Sequence, residues 1–223
     1  MNLLQQADGK ETSATRTAYL TLRQMILTGE LAAGEKLKIE QLRTRLDTGA
    51  SPVREALSLL TSDMLVERLD QRGFRAAPAS LSNFQEILTL RCSLEDMALR
   101  QSIANSTEGW EETLVVSHHR MKRASEEGSI PKFEEAHKAF HMALLDNAGS
   151  PILLRYCSQL YDLNIRYRNL AAAGTNYRKR NVASEHVEIL DAAVRGDADG
   201  ASSALMNHYR VTGDYLAIPL SNL

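Results

Sequence analysis

Between Gly49 and Leu57 the chain places Ser51, Pro52 and Glu55 around the start of an apolar series, Val53, Ala56, Leu57 and Leu60, that repeats at helical spacing. Ser51 can cap free N–H groups, Pro52 suits a first helical position, and the apolar series makes one buried face. Arg54, Ser58 and Thr61 fall on other faces. An amphipathic stretch, Ile39 to Leu46, precedes this helix, and a glycine-containing turn, Gln71, Arg72, Gly73 and Phe74, follows it. Helix, turn, helix and glycine-tipped hairpin in that order describe a winged helix-turn-helix, in which the second helix can lie in the major groove of DNA. Arg54, displayed near the start of that helix, is the candidate for reading base edges. Taken alone it could equally be a solvated helix arginine; the order of elements around it favours the DNA role.

Composition leaves this reading open. The 223 residues suffice for two small domains, and the 43% hydrophobic content is that of an ordinary globular chain. A formal net charge of −2 does not advertise nucleic acid. Lys36, Lys38, Arg43, Arg45, Arg54, Arg72 and Arg75 lie close together but are interleaved with acids, so a basic patch must arise from geometry. No run of about 18 apolar residues and no basic-then-apolar leader is present, which predicts a cytoplasmic protein with no membrane partner. Cys92 and Cys157 sit singly in apolar helical contexts and are expected to be reduced core thiols.

Past Pro78 the small-residue stretch from Ala76 to Ser80 suggests a linker, and the pattern becomes almost wholly helical. Helices are expected at 81–103, 108–126, 131–147, 151–171, 178–195 and 198–217, punctuated by Gly128, Gly149, Gly174 and Gly196. The expected fold class is therefore mostly α. A winged helix-turn-helix with a small β-wing spans 1–78, and an all-α antiparallel bundle spans 79–223. Such bundles build ligand and metal sites from inward-facing side chains.

Four histidines mark a candidate site. His137 and His141 share one helix face, while His186 and His208 fall in two later helices joined by a short turn at Gly196. Four neutral imidazoles suit a borderline divalent metal such as zinc; buried, hydrogen-bonded or exposed histidines without a metal are the alternative. His118 and His119 point about 100° apart on a helix and read as surface residues. Arg91 and Glu95 make either a solvated i,i+4 ion pair or pocket residues. Tyr161, Asn164, Arg168 and Tyr209 are weaker candidates for ligand contacts.

The segments Tyr19 to Leu31, Ala33 to Leu37, Pro52 to Leu57 and Gln71 to Phe74 together resemble the DNA-binding domain of the GntR superfamily of bacterial transcription regulators. That resemblance implies DNA contacts by Arg54, by Arg72 and Gly73 at the wing tip, and by Ser51 and Arg43. Ala50 stands where the family usually has a guanine-reading arginine. The remaining two thirds resemble the effector domain of the FadR-type branch, the FCD domain. The resemblance is carried by Leu90 to Glu95, Phe140 and His141, Asn147 to Pro151, Glu185 to Leu190, and His208.

What the second resemblance implies is a divalent metal on His137, His141, His186 and His208. Metal-binding members usually have an aspartate where this chain has His137. The replacement should favour zinc or nickel over manganese or magnesium; alternatively three histidines ligate and His137 does not. Arg91, Glu95, Asn164 and Tyr209 would then face an organic-acid effector. The expectation is a homodimeric regulator, a repressor by resemblance, that binds a short inverted repeat of double-stranded DNA. A metal-responsive sensor is one alternative, and a metal-dependent helical-bundle enzyme is the rival from another class. Against the enzyme, no His-Glu-x-x-His motif or catalytic spacing is present.

Overall fold

The computed structural model describes residues 3–70, 72–172 and 182–221. They form two compact units: one of the described residues up to Ser80 together with 165–172, the other of residues 81–164 and 182–221. No helix among the described residues is long and apolar enough to cross a membrane.

The first unit is built on α1 (Leu3–Leu27), α2 (Ile39–Arg45) and α3 (Ala50–Ser62). Ala18, Leu22, Met25 and Ile26 on α1 recur at helical spacing and are buried, as are Val53, Ala56, Leu57 and Leu60 on α3, and the two helices pack together. The polar edge of that packing is pinned by Tyr19, whose hydroxyl donates to Asp63 at 2.7 Å. The wing is a three-stranded antiparallel sheet of β1 (Lys36–Leu37), β2 (Val66–Leu69) and β3 (Gly73–Ala76), in the order β1-β3-β2. Leu37, Val66 and Phe74 face inward, and the cross-strand partners Glu67 and Arg75 form an ion pair at 2.6 Å. Gly73 sits at φ +94°, a conformation side chains disfavour, and so lets the wing reverse beside Arg72.

One expectation for this unit is corrected. Ser51 does not cap α3: Gly49 holds the cap position with extended backbone, no side chain caps the helix, and the Ser51 hydroxyl donates to Glu55 at 3.2 Å. Pro52 is therefore the third helical residue, still within the turn whose N–H groups lack intrahelical acceptors. The stretch after the wing is hydrogen-bonded within this unit. Ala77 donates its N–H to Leu65 O at 3.0 Å, and its carbonyl accepts from the Arg166 guanidinium.

That arginine belongs to α7 (Pro151–Ala172), whose last turns are part of the first unit. There Asn169 donates to Leu27 O at 2.7 Å, and the Tyr167 hydroxyl accepts the Ser80 N–H at 3.3 Å.

The second unit contains α4 (Leu81–Ala104), α5 (Glu108–Glu126), α6 (Ile130–Leu145), the earlier part of α7, α8 (Val182–Val194) and α9 (Ala198–Leu220). The expected start of α8 at Arg178, and Gly174, lie outside the described residues. The expected helix at 131–147 ends as a 3-10 turn, Asp146–Ala148, closed by Gly149 at φ +70°. Side chains close the helix starts where it matters: Thr107 accepts the Trp110 N–H, and Asp197 accepts the Gly200 N–H. α5 packs on α6, α4 on α9, and α8 on α9. The core between them holds Leu99, Leu114, Phe140, Leu144, Leu145, Ile189 and Leu205, all fully buried. Trp110 reaches in from α5 to donate its indole N–H to Ala143 O at 2.9 Å.

Replacing Leu144 by Ala should destabilise the chain by about 2–5 kcal/mol, since removing a fully buried leucine costs transfer energy and leaves a cavity. Denaturant unfolding checks this; a loss under about 1 kcal/mol would mean that the bundle collapses around the gap.

Candidate metal centre and nucleic-acid interface

α6 carries Phe140 and Leu144 into the core, and the same inward face carries His137 and His141. α8 turns His186 inward beside Ile189 and Leu190, and α9 does the same with His208 beside Leu205. The four rings converge. Centroids lie 4.5 Å apart for His137 and His141, 5.0 Å for His137 and His186, 5.3 Å for His141 and His186, and 4.8 Å for His186 and His208. Each offers one nitrogen, and these atoms lie within 4.8 Å of one another. All four side chains are buried. The juxtaposition expected from spacing is thus present, with His137 inside the group.

Hydrogen bonds to the outer side of the rings are specific. His208 Nδ1 lies 2.7 Å from Glu185 Oε2, His141 Nδ1 lies 2.9 Å from the Tyr209 hydroxyl, and His137 Nδ1 contacts the Tyr161 hydroxyl. Nε2 of His141 is buried and has no hydrogen-bond partner. An uncompensated buried nitrogen costs about 1–3 kcal/mol, and a cation bound through its lone pair would satisfy it. Buried imidazoles with no carboxylate among them suit a borderline divalent ion rather than a hard one, so the residues present fit zinc or nickel.

Burial pushes His137 and His141 well below the usual histidine range, reinforced by His208 and Arg91 around His137 and by the other three histidines and Arg91 around His141. Both rings are therefore neutral and available as donors at neutral pH.

Arg91 and Glu95 are not the solvated alternative: their side chains are 5% and 1% exposed, and Arg91 Nε donates to Glu95 Oε1 at 2.6 Å. The guanidinium carbon lies 4.0 Å from the centroid of Tyr209 and 4.7 Å from that of Tyr161. Desolvation opposes its charge, but Glu95 and Tyr209 outweigh that and raise its pKa. Glu95 Oε2 accepts the Tyr209 hydroxyl, so Arg91, Glu95, Tyr209 and His141 form one chain of contacts. Arg91 Nη2 and Asn164 Oδ1 are buried and have no hydrogen-bond partner among the described residues. Asn164 lies one helical step from Tyr161, whereas Arg168, further along α7, falls in the first unit.

Spacing did not reveal Glu185 as a partner of His208, although its place immediately before His186 was a usable signal. His118 is half-buried rather than on the surface, its ring edge-on to Phe140 at 5.4 Å. Cys92 and Cys157 are free, and burial pushes the Cys157 thiol up to about 12, which leaves it unreactive.

In the first unit Arg54 and Ser51 are exposed on α3, Arg72 and Gly73 are exposed at the wing, and Gln71 lies outside the described residues. Arg43 is exposed on α2 and pairs with Glu40 at 3.2 Å, a surface contact that costs little to give up. Arg45 pairs with Glu30, and Arg75 with Glu67. The cations interleaved with acids in the sequence are thus partly neutralised at those positions, as the modest net charge requires.

Metal-free protein should lose stability as pH falls below about 6.5. There the unfolded chain protonates histidines that the folded state keeps neutral through His137 and His141. Melting temperatures across pH 5 to 8 (on the order of two units around the free histidine value) check this against His141→Asn. Equal pH slopes for the two proteins would show that His141 is not held neutral.

Residues 86–211 match the FCD domain, and residues 14–75 match the bacterial regulatory proteins of the gntR family. The uncharacterized HTH-type transcriptional regulator BphR of Paraburkholderia xenovorans is 37% identical over 88% of this chain and 82% of its own. The HTH-type transcriptional repressor GlaR of Escherichia coli is 29% identical over 90% of this chain and 94% of its own. Among solved structures, E. coli McbR/YncC shares the fold with a TM-score of 0.79 at 22% identity, covering 91% of this chain and 96% of that one. A winged helix with an exposed arginine on its second helix, joined in one chain to an FCD bundle, places this protein among the GntR-family regulators that bind DNA, and not among enzymes.

Proposed function

We propose that this regulator is a homodimeric repressor whose bundle holds zinc, or nickel, on His137, His141, His186 and His208 and takes a small organic acid against Arg91. The observation that carries the effector reading is the buried Arg91 Nη2, a charged donor with no acceptor, on a guanidinium stacked against two tyrosines of the histidine site. A carboxylate would supply that acceptor through a charge-assisted hydrogen bond. Asn164 Oδ1 lacks a donor, which a hydroxyl on the same acid would provide, so hydroxy acids and dicarboxylates are the favoured class. The bound ion would add positive charge and open coordination positions for that anion.

The winged helix supplies the output. Arg54 on α3 would read base edges, with Arg72 and Gly73 at the wing and Ser51 and Arg43 on the backbone. Two copies on a short inverted repeat turn modest contacts into useful affinity. An acid that binds one arrangement of the dimer better than the other shifts DNA affinity through a coupling of about 1–3 kcal/mol, roughly 5- to 150-fold. The names of similar proteins, the repressor GlaR among them, favour repression.

The test is binding of purified, metal-assayed protein to DNA from upstream of its own gene, at several salt concentrations, with a panel of dicarboxylates and hydroxy acids. Specific binding relieved by one acid, with zinc present, is expected. Zinc that reversibly controls DNA affinity while no acid acts would assign a metal sensor instead. Arg54→Ala should weaken specific binding by about 1–3 kcal/mol without changing the circular dichroism spectrum; unchanged affinity would remove Arg54 from the interface. Arg91→Lys keeps a cation beside Glu95 but removes the Nη2 donor; it should keep zinc and DNA binding yet weaken the response to acid, and an unchanged response would place the effector elsewhere.

A further inference from the structure

We infer that Tyr209 and Glu95 are positioning residues for the metal centre, fixing His141 in the tautomer that presents a lone pair at Nε2. The inference rests on the metal-site reading above, and it gives Tyr209 and Glu95 a role beyond effector contacts.

The reasoning is a count of hydrogens. The Tyr209 hydroxyl carries one hydrogen and touches two groups, Glu95 Oε2 and His141 Nδ1. A carboxylate, here held against the Arg91 guanidinium, can only accept, so the hydroxyl hydrogen goes to Glu95. What remains on the phenol oxygen is a lone pair, and the contact at 2.9 Å is a hydrogen bond only if Nδ1 of His141 is the donor. A neutral imidazole has one N–H. Nε2 of His141 is therefore the lone-pair nitrogen, and it is the buried nitrogen left without a partner.

The same logic applies independently on α9. His208 Nδ1 faces Glu185 Oε2 at 2.7 Å, a group that can only accept, so Nδ1 is the donor, which leaves Nε2 as the lone-pair nitrogen of the neutral ring. Two ligands on different helices are thus set in one tautomer by carboxylates, one directly and one through a tyrosine. These carboxylates also bear on charge. The four imidazoles bring none, and outer carboxylates raise the basicity of the histidines they contact.

Long-range proton–nitrogen NMR of the full, metal-stripped chain tests the inference, with His141→Ala identifying the signal. His141 is expected as the Nδ1–H tautomer; an Nε2–H tautomer in the wild-type protein overturns the inference without any variant having to fold. Tyr209→Phe keeps the ring against Arg91 and removes only the hydroxyl. It should move His141 toward a mixture of tautomers and weaken zinc, measured against a chromogenic chelator, by about 10- to 100-fold. Unchanged zinc affinity with an unchanged tautomer in that variant also overturns it. Wild-type protein that binds no zinc in the same assay overturns the metal-site reading itself, an outcome the tautomer measurement separates from failure of the positioning role.

Discussion

Four imidazoles buried at the centre of the bundle are the constraint around which the second unit is arranged. Burial alone would make so many polar rings a liability, since each nitrogen taken from water needs a partner. The outer nitrogens of three rings are met by Tyr161, Tyr209 and Glu185. The inner nitrogens converge, and Nε2 of His141 has no hydrogen-bond partner among the described residues. The apolar residues on the same helix faces, Phe140, Leu144, Ile189 and Leu205, keep water away and fix the rings in place. The fold stability and the proposed metal chemistry therefore draw on one set of helix faces.

The buried Arg91 adjoins this arrangement. Its charge is balanced by Glu95 and cushioned by two aromatic faces, yet one nitrogen is left unanswered. Removing a partner from a buried ion pair is costly, so Glu95 holds the arginine ready while leaving part of its donor capacity unused. Glu95 also touches the hydroxyl that reaches His141. Arg91 and His141 are thereby parts of one continuous contact chain through Glu95 and Tyr209.

Much of this was legible in the residues themselves. Apolar spacing and glycine punctuation located α4 and α5 to within a residue, and the four-residue step from His137 to His141 implied a shared face. Other features were not legible for identifiable reasons. Ser51 before Pro52 has the chemistry of a cap, but the backbone enters α3 two residues earlier at Gly49, because helix ends depend on backbone angles that composition underdetermines. The Arg91 and Glu95 spacing is the same for an exposed pair and a buried one; only the packing of Tyr161 and Tyr209 against it decides. Glu185 and His208 lie on different helices, so the adjacency of Glu185 to His186 hints at the site but not at which histidine it meets.

The last turns of α7 have a consequence for modularity. The first unit, as folded, borrows Arg166, Tyr167 and Asn169 from a helix encoded some ninety residues downstream, and these side chains answer the Ala77 carbonyl, the Ser80 amide and the Leu27 carbonyl. A gene fragment ending at Ser80 would leave those three backbone groups to water. The reader head of this regulator is thus not a detachable cassette: swapping it onto another effector bundle transfers its DNA-facing surface but not its own supporting wall, so recombination between relatives has to carry the end of α7 along with the winged helix.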